Sequence, residues 1–103
     1  MNAQQFVAAF KAEKQWLFDH YTKQPNKRID ALNLSPQQRE GLNSLLDDVL
    51  RDAFYTILMG LDGAASIGGI QQGYTVSDES GNVITRSNDG ELEENAFEAF
   101  HSR

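Results

Sequence analysis

Gly63 and Gly68 enclose four residues, the gap that a phosphate-binding loop uses to wrap backbone N–H groups around a phosphate. The Lys and the Ser or Thr that such a loop needs next are replaced by Gly69 and Ile70. The segment also follows a long helical pattern, whereas phosphate loops run from a strand into a helix whose N-terminus receives the anion. It therefore reads as a close-packed turn that lets the backbone pass near the preceding helix. Ser66, in Ala64-Ala65-Ser66-Ile67-Gly68, faintly echoes the turn that presents a hydrolase serine, with Ala for the first Gly. A nucleophilic serine needs a base in hydrogen-bond reach and a third group to orient that base. The two histidines, His20 and His101, stand at opposite ends of the sequence and suit positions near helix ends. Hydrolase chemistry is not expected.

Carboxylates offer a metal test, and their spacing fails it. A calcium loop wants acidic or amide residues at alternate positions, Gly at the sixth and Glu at the twelfth. Counting from Asp78, the alternate positions hold Ser80, Asn82 and Ile84, and the sixth is Val83. Asp47 and Asp48 are adjacent and diverge by about 100° on a helix. Asp48 and Asp52 share a face but lack further ligands. No metal or other cofactor is implied. Asp62 differs, because it follows an apolar turn and opens the glycine cluster; if buried, it must find backbone donors or a cation. With Ser66, Gln71 and Tyr74 it is the candidate lining of any polar pocket left by the glycine turn.

The distribution of charge is the strongest functional signal. Residues 1–61 hold seven acids and seven Lys or Arg, whereas residues 62–103 hold eight acids and two bases, so the net −6 lies wholly in the second segment. Such a block repels polyanions and attracts basic partners. Its carriers are Asp78, Glu79, Asp89, Glu91, Glu93, Glu94 and Glu98. Binding to nucleic acid is not expected, since phosphate affinity comes from Lys and Arg.

These residues need a scaffold. At 103 residues, 40% hydrophobic and 23% charged, the chain reads as a single globular domain able to bury one core. Without cysteine it needs neither disulfide nor thiolate metal site. The N-terminus lacks the basic-then-apolar pattern of a secretory signal. The longest strongly apolar stretch, residues 53–61, is far below the ~20 residues of a membrane span. A cytoplasmic protein without membrane contact is expected.

The clearest element is a helix in which Leu42, Leu45, Leu46, Val49, Leu50 and Ala53 begin a three-and-four pattern that continues through Phe54, Ile57, Leu58 and Leu61. Ser35, Pro36 and Gln38 form its start signal. Tyr55, Thr56 and Met59 replace charges on the back of its second half, which predicts a central helix whose C-terminal half is sandwiched between other elements or against a second subunit. An earlier helix is predicted over residues 3–21, capped by Asn2 with Gln5. Phe6, Phe10, Leu17 and Tyr21 make its apolar stripe, and Lys14 must snorkel out of it. Trp16 projects elsewhere. Residues 22–34 read as a connection with a short turn around residues 29–32, so the two helices should lie antiparallel. A hairpin is predicted from Tyr74 and Val76 to Val83 and Thr85, with residues 77–82 as its turn. Asp89 then caps a last helix whose inner stripe is Leu92, Ala96 and Phe100, with Phe97 beside it.

The expected architecture is therefore α+β and helix-dominated: two N-terminal helices, the second long and central, then a β-hairpin and a C-terminal helix. The expected function is a small acidic, non-enzymatic protein-binding module, in concrete form a bacterial-type inhibitor or immunity partner covering a basic, nuclease-like protein. The alternatives are a homodimeric structural or regulatory protein, or a small-ligand binder at the glycine turn.

Overall fold

The structure, a computed structural model, describes residues 1–23 and 25–101. Its elements are α1 (Ala3–Thr22), α2 (Lys27–Asp30), α3 (Pro36–Leu61), β1 (Val76–Ser77), β2 (Val83–Thr85) and α4 (Glu91–His101). This is the expected helix-dominated α+β order. The short α2 stands in the connection between the long helices, of which Gln24 lies outside the described residues.

Local chemistry starts each long helix. Asn2 Oδ1 accepts the Gln5 N–H at 2.8 Å while Gln5 Oε1 accepts the Asn2 N–H at 2.9 Å. Ser35 and Gln38 repeat that reciprocal box at α3, with Pro36 as the first helical residue. Asn26 Oδ1 accepts the N–H groups of Arg28 and Ile29 to start α2.

The helices α1 and α3 run antiparallel. The Phe10 ring meets Phe54 edge-on at 6.1 Å, and the Lys14 ammonium pairs with Asp47 about two α3 turns further from the glycine end. That pair resolves the misplaced charge in the α1 stripe: the Lys14 stem is covered while its head reaches a carboxylate. The core joins Ala3 and Val7 of α1, Leu58 of α3, and Leu92, Ala96 and Phe100 of α4. It occupies the end of the molecule where α4 lies, and the whole measures 47 × 29 × 26 Å.

One expectation about α3 is corrected. Among the described residues, no other element of the chain sandwiches its C-terminal half, where Ala53, Thr56 and Ile57 are exposed. Leu58 is buried and Phe54 and Tyr55 pack against the core, but Leu45, Val49, Ala53 and Ile57 stand exposed along one uninterrupted line. Length explains this. The 26 residues of α3 extend ~39 Å and the 11 of α4 only ~17 Å, so α4 cannot cover the long helix. Both α1 and α4 also pack on the side that carries Phe54, Leu58 and Tyr55, which leaves the opposite side open.

The hairpin is short and irregular. Val76 pairs with Thr85 and Ser77 with Val83, so Ile84 is an extra residue in β2. Such a bulge breaks the alternation of a strand. Ile84 and Thr85 accordingly both turn inward and are buried, and β2 lies against α1. At the glycine turn, Gly68 and Gly69 have φ of +60° and +82°, while Ile67 and Ile70 exchange backbone hydrogen bonds at 2.9 and 3.0 Å. Two consecutive positive φ values define the tight two-residue turn that glycine favours. Close approach is required elsewhere. A β-carbon on Gly60 would stand 2.2 Å from Ile67 Cγ1, so Gly60 lets this turn fold back onto α3.

Candidate functional site

The three aspartates that bear on the acidic segment are committed to the fold. Asp62 follows the last residue of α3 and is 3% exposed. Its Oδ1 accepts the Gly90 N–H at 3.1 Å and its Oδ2 the Glu93 N–H at 3.0 Å. It thus satisfies orphan donors at the start of α4, where a negative charge also suits the helix dipole. Asp89 supplies the nearer cap: Oδ1 accepts from the Glu91 N–H and the Thr85 hydroxyl, both at 2.9 Å, and Oδ2 from the Arg86 N–H at 2.8 Å. Partial burial opposes ionisation of Asp89, but the Arg86 and Glu91 N–H groups and the Thr85 hydroxyl outweigh it and hold the carboxyl below its ordinary range. Asp78 folds the hairpin turn, accepting the N–H groups of Ser80 and Asn82 at 3.0 Å each. The Asn82 N–H, foremost, holds this carboxyl low as well.

Among the described residues the glutamate side chains carry no such duties. Glu91, Glu93, Glu94 and Glu98 are exposed on α4, and Glu79 is exposed on the hairpin turn. Leu92, Ala96 and Phe100 take the inner face of α4 and are buried, which turns those four acids outward together. Among them stands Phe97, 56% exposed. A cavity of about 320 Å³ opens beside it, lined by Tyr55, Gly90, Glu93, Glu94, Phe97 and Glu98. The His101 ring packs against both aromatics, 4.3 Å from Tyr55 and 5.7 Å from Phe97. The result is an aromatic patch rimmed by three carboxylates, with Tyr55 from α3 and the other side chains from α4.

Among the described residues, the structure places the four residues of the candidate pocket around the glycine turn in different settings. Asp62 borders a small cavity of about 130 Å³ at the start of α4. Ser66 borders a different groove with Ala53, Thr56 and Ile57 of α3. Gln71 Nε2 donates to the Gly63 carbonyl at 3.1 Å, and the Tyr74 N–H donates to the Leu61 carbonyl at 3.2 Å, so both brace the chain around the turn. Among the described residues no three His, Asp or Glu side chains gather as a metal site would need.

Compared with protein-family models, curated proteins and solved structures, the chain matches none.

Phe97 and Tyr55 complete the acidic face, and sequence reasoning placed them less well than the acids. Phe97 lies one residue, hence about 100°, beyond Ala96 of the buried stripe, and that offset was the available signal. Tyr55 stands where the sequence pattern of α3 replaces charges with apolar residues, and the structure puts it on the side where α4 packs, so its ring meets another element there.

Proposed function

We propose that this protein is a small acidic, non-enzymatic binding module whose C-terminal helix covers a basic surface of another protein, as an inhibitor or immunity-type partner covers a nuclease-like enzyme. The observation that carries the reading is the exposed Phe97 ring set among Glu93, Glu94 and Glu98 beside the Tyr55 cavity. A surface shaped for solubility alone would present acids without an exposed aromatic among them. Binding faces combine the two: an aromatic anchor fills the centre, and a polar rim excludes water from it.

Each part has a task. The glutamates speed encounter with a basic partner and disfavour wrong ones. Phe97 and Tyr55 offer ring faces on which an Arg or Lys can settle, a contact worth about 0.5–2 kcal/mol as it desolvates. Asp62 and Asp89 keep the α4 backbone fixed, so little freedom is lost on binding.

The test uses an Arg-rich peptide as probe, with backbone NMR shifts recorded at rising salt. Shifts should cluster on residues 93–98 and Tyr55, weaken steeply between about 0.01 and 0.15 M salt, and vanish in Phe97→Ala and in the Glu93→Lys, Glu94→Lys, Glu98→Lys triple variant. Shifts spread evenly over all acids, with Phe97→Ala unchanged, would reduce the acidic face to solvated surface.

A further inference from the structure

We infer that the open face of α3 pairs with the same face of a second copy of this chain. The line Leu45, Val49, Ala53, Ile57 advances by four residues at each step and carries no charge. Leu45 is 57% exposed, Val49 53% and Ile57 43%, although α3 shows its densest apolar pattern there. The face continues into a groove of about 460 Å³ between Ala53, Thr56 and Ile57 and the folded-back glycine turn at Ile67.

Surface area favours a second copy as the occupant. The chain exposes 6993 Å², whereas a compact monomer of 11.5 kDa exposes roughly 5,800 Å². The excess of roughly 1,200 Å² is more than the ~800 Å² that each partner buries in a standard interface. Shape agrees with area: the radius of gyration is 16.2 Å, against roughly 13 Å for a compact chain of this length. One protomer is thus under-covered by about the amount that a partner supplies.

Geometry makes that partner a like one. Rows of side chains four residues apart form ridges, and a ridge of this class fits the groove beside the identical ridge of another helix. A two-fold axis across the stripe brings the same patch to both subunits and closes the assembly at two. Ala53, the smallest residue in the line, gives the place for closest approach of the two α3 axes. The glutamates of α4 lie across the core from the stripe; Asp48 and Asp52 flank it, Asp52 lining the groove, and Arg51 pairs with both at 3.3 and 3.5 Å, which offsets their charge at the contact. The two copies would leave both Phe97 faces free.

Sedimentation at about 10 µM should give twice the chain mass of 11.5 kDa. Val49→Glu should return one chain mass with unchanged helical circular dichroism, since an exposed residue tolerates a charge in the protomer. Leu45→Ser, a milder change on the same line, should weaken association at least tenfold while folding normally. A measurement on the parent chain needs no variant: tenfold dilution should lower its Tm by about 3 °C, as for any fold linked to association. A parent that stays at one chain mass up to about 100 µM, with a Tm independent of concentration, would overturn the inference and leave the face to a different occupant. A Val49→Glu protein that keeps the doubled mass would overturn it too, by placing the contact elsewhere.

Discussion

Asp62 Oδ2 accepts the backbone N–H of Glu93 at 3.0 Å, tying the end of α3 to the start of α4 across 31 residues of chain. With Oδ1 on the Gly90 N–H, one buried carboxylate satisfies two donors that no residue of α4 itself reaches. Asp62→Ala leaves both donors without a partner and should cost about 1–3 kcal/mol in urea unfolding. Asp62→Asn keeps one acceptor oxygen but turns an NH2 toward the second donor, so it should fall between parent and alanine variant. If Asp62→Ala unfolds within about 0.5 kcal/mol of the parent, as a surface change would, the tether does not hold α4 in place.

How far the fold was legible follows from how local its causes are. The boxes Asn2–Gln5 and Ser35–Gln38 span three residues each, and both helices begin where those residues predict. The inner stripe of α4 was equally plain, because Leu92, Ala96 and Phe100 admit one buried face. The α3 pattern misled in a specific way. Periodicity reports which face is apolar, but not whether the chain owns enough other elements to cover it, and here it does not. For the candidate site, the outward glutamates followed from the α4 pattern, whereas the partner of Asp62 did not. A contact spanning 31 residues leaves no spacing to detect, only the oddity of an acid after an apolar turn.

Neighbouring residues on α3 should separate cleanly. Leu58 is buried in the three-helix core, so Leu58→Ala should cost about 2–5 kcal/mol. Ile57 is 43% exposed, and Ile57→Ala should cost within about 0.5 kcal/mol at dilutions too low for pairing. Denaturant midpoints at two protein concentrations check both values. Equal losses in the two variants under dilute conditions would mean that the open side of α3 has been misplaced.

The turn at Gly68 and Gly69 needs positive φ and not extra room, since a β-carbon on either would meet nothing within 4 Å. Asparagine tolerates that region and a β-branched residue does not. Gly68→Val should therefore lower the Tm by several degrees, reflecting a loss of about 1–2 kcal/mol, while Gly68→Asn stays closer to the parent. Thermal melts that place the two variants together would argue against the left-handed turn.

Acid should loosen the hairpin and the start of α4 through Asp78 and Asp89. Hydrogen bonds from Asn82 and Ser80 hold the Asp78 carboxyl low, and those from Arg86, Glu91 and Thr85 outweigh burial to do the same for Asp89. A carboxyl that titrates lower when folded than when unfolded stabilises the fold fully above its unfolded value, about 3.9. That contribution is lost as pH falls below this point and through the folded value. Stability owed to these two groups should thus stay level from neutral pH to about 5 and decline beneath about 4. Carboxyl NMR titration should place both midpoints below the unfolded value, and Asp78→Asn or Asp89→Asn should flatten the acid slope of a melting series. Ordinary midpoints for both residues, with slopes unchanged in either variant, would show that these carboxylates hold neither the turn nor the helix start.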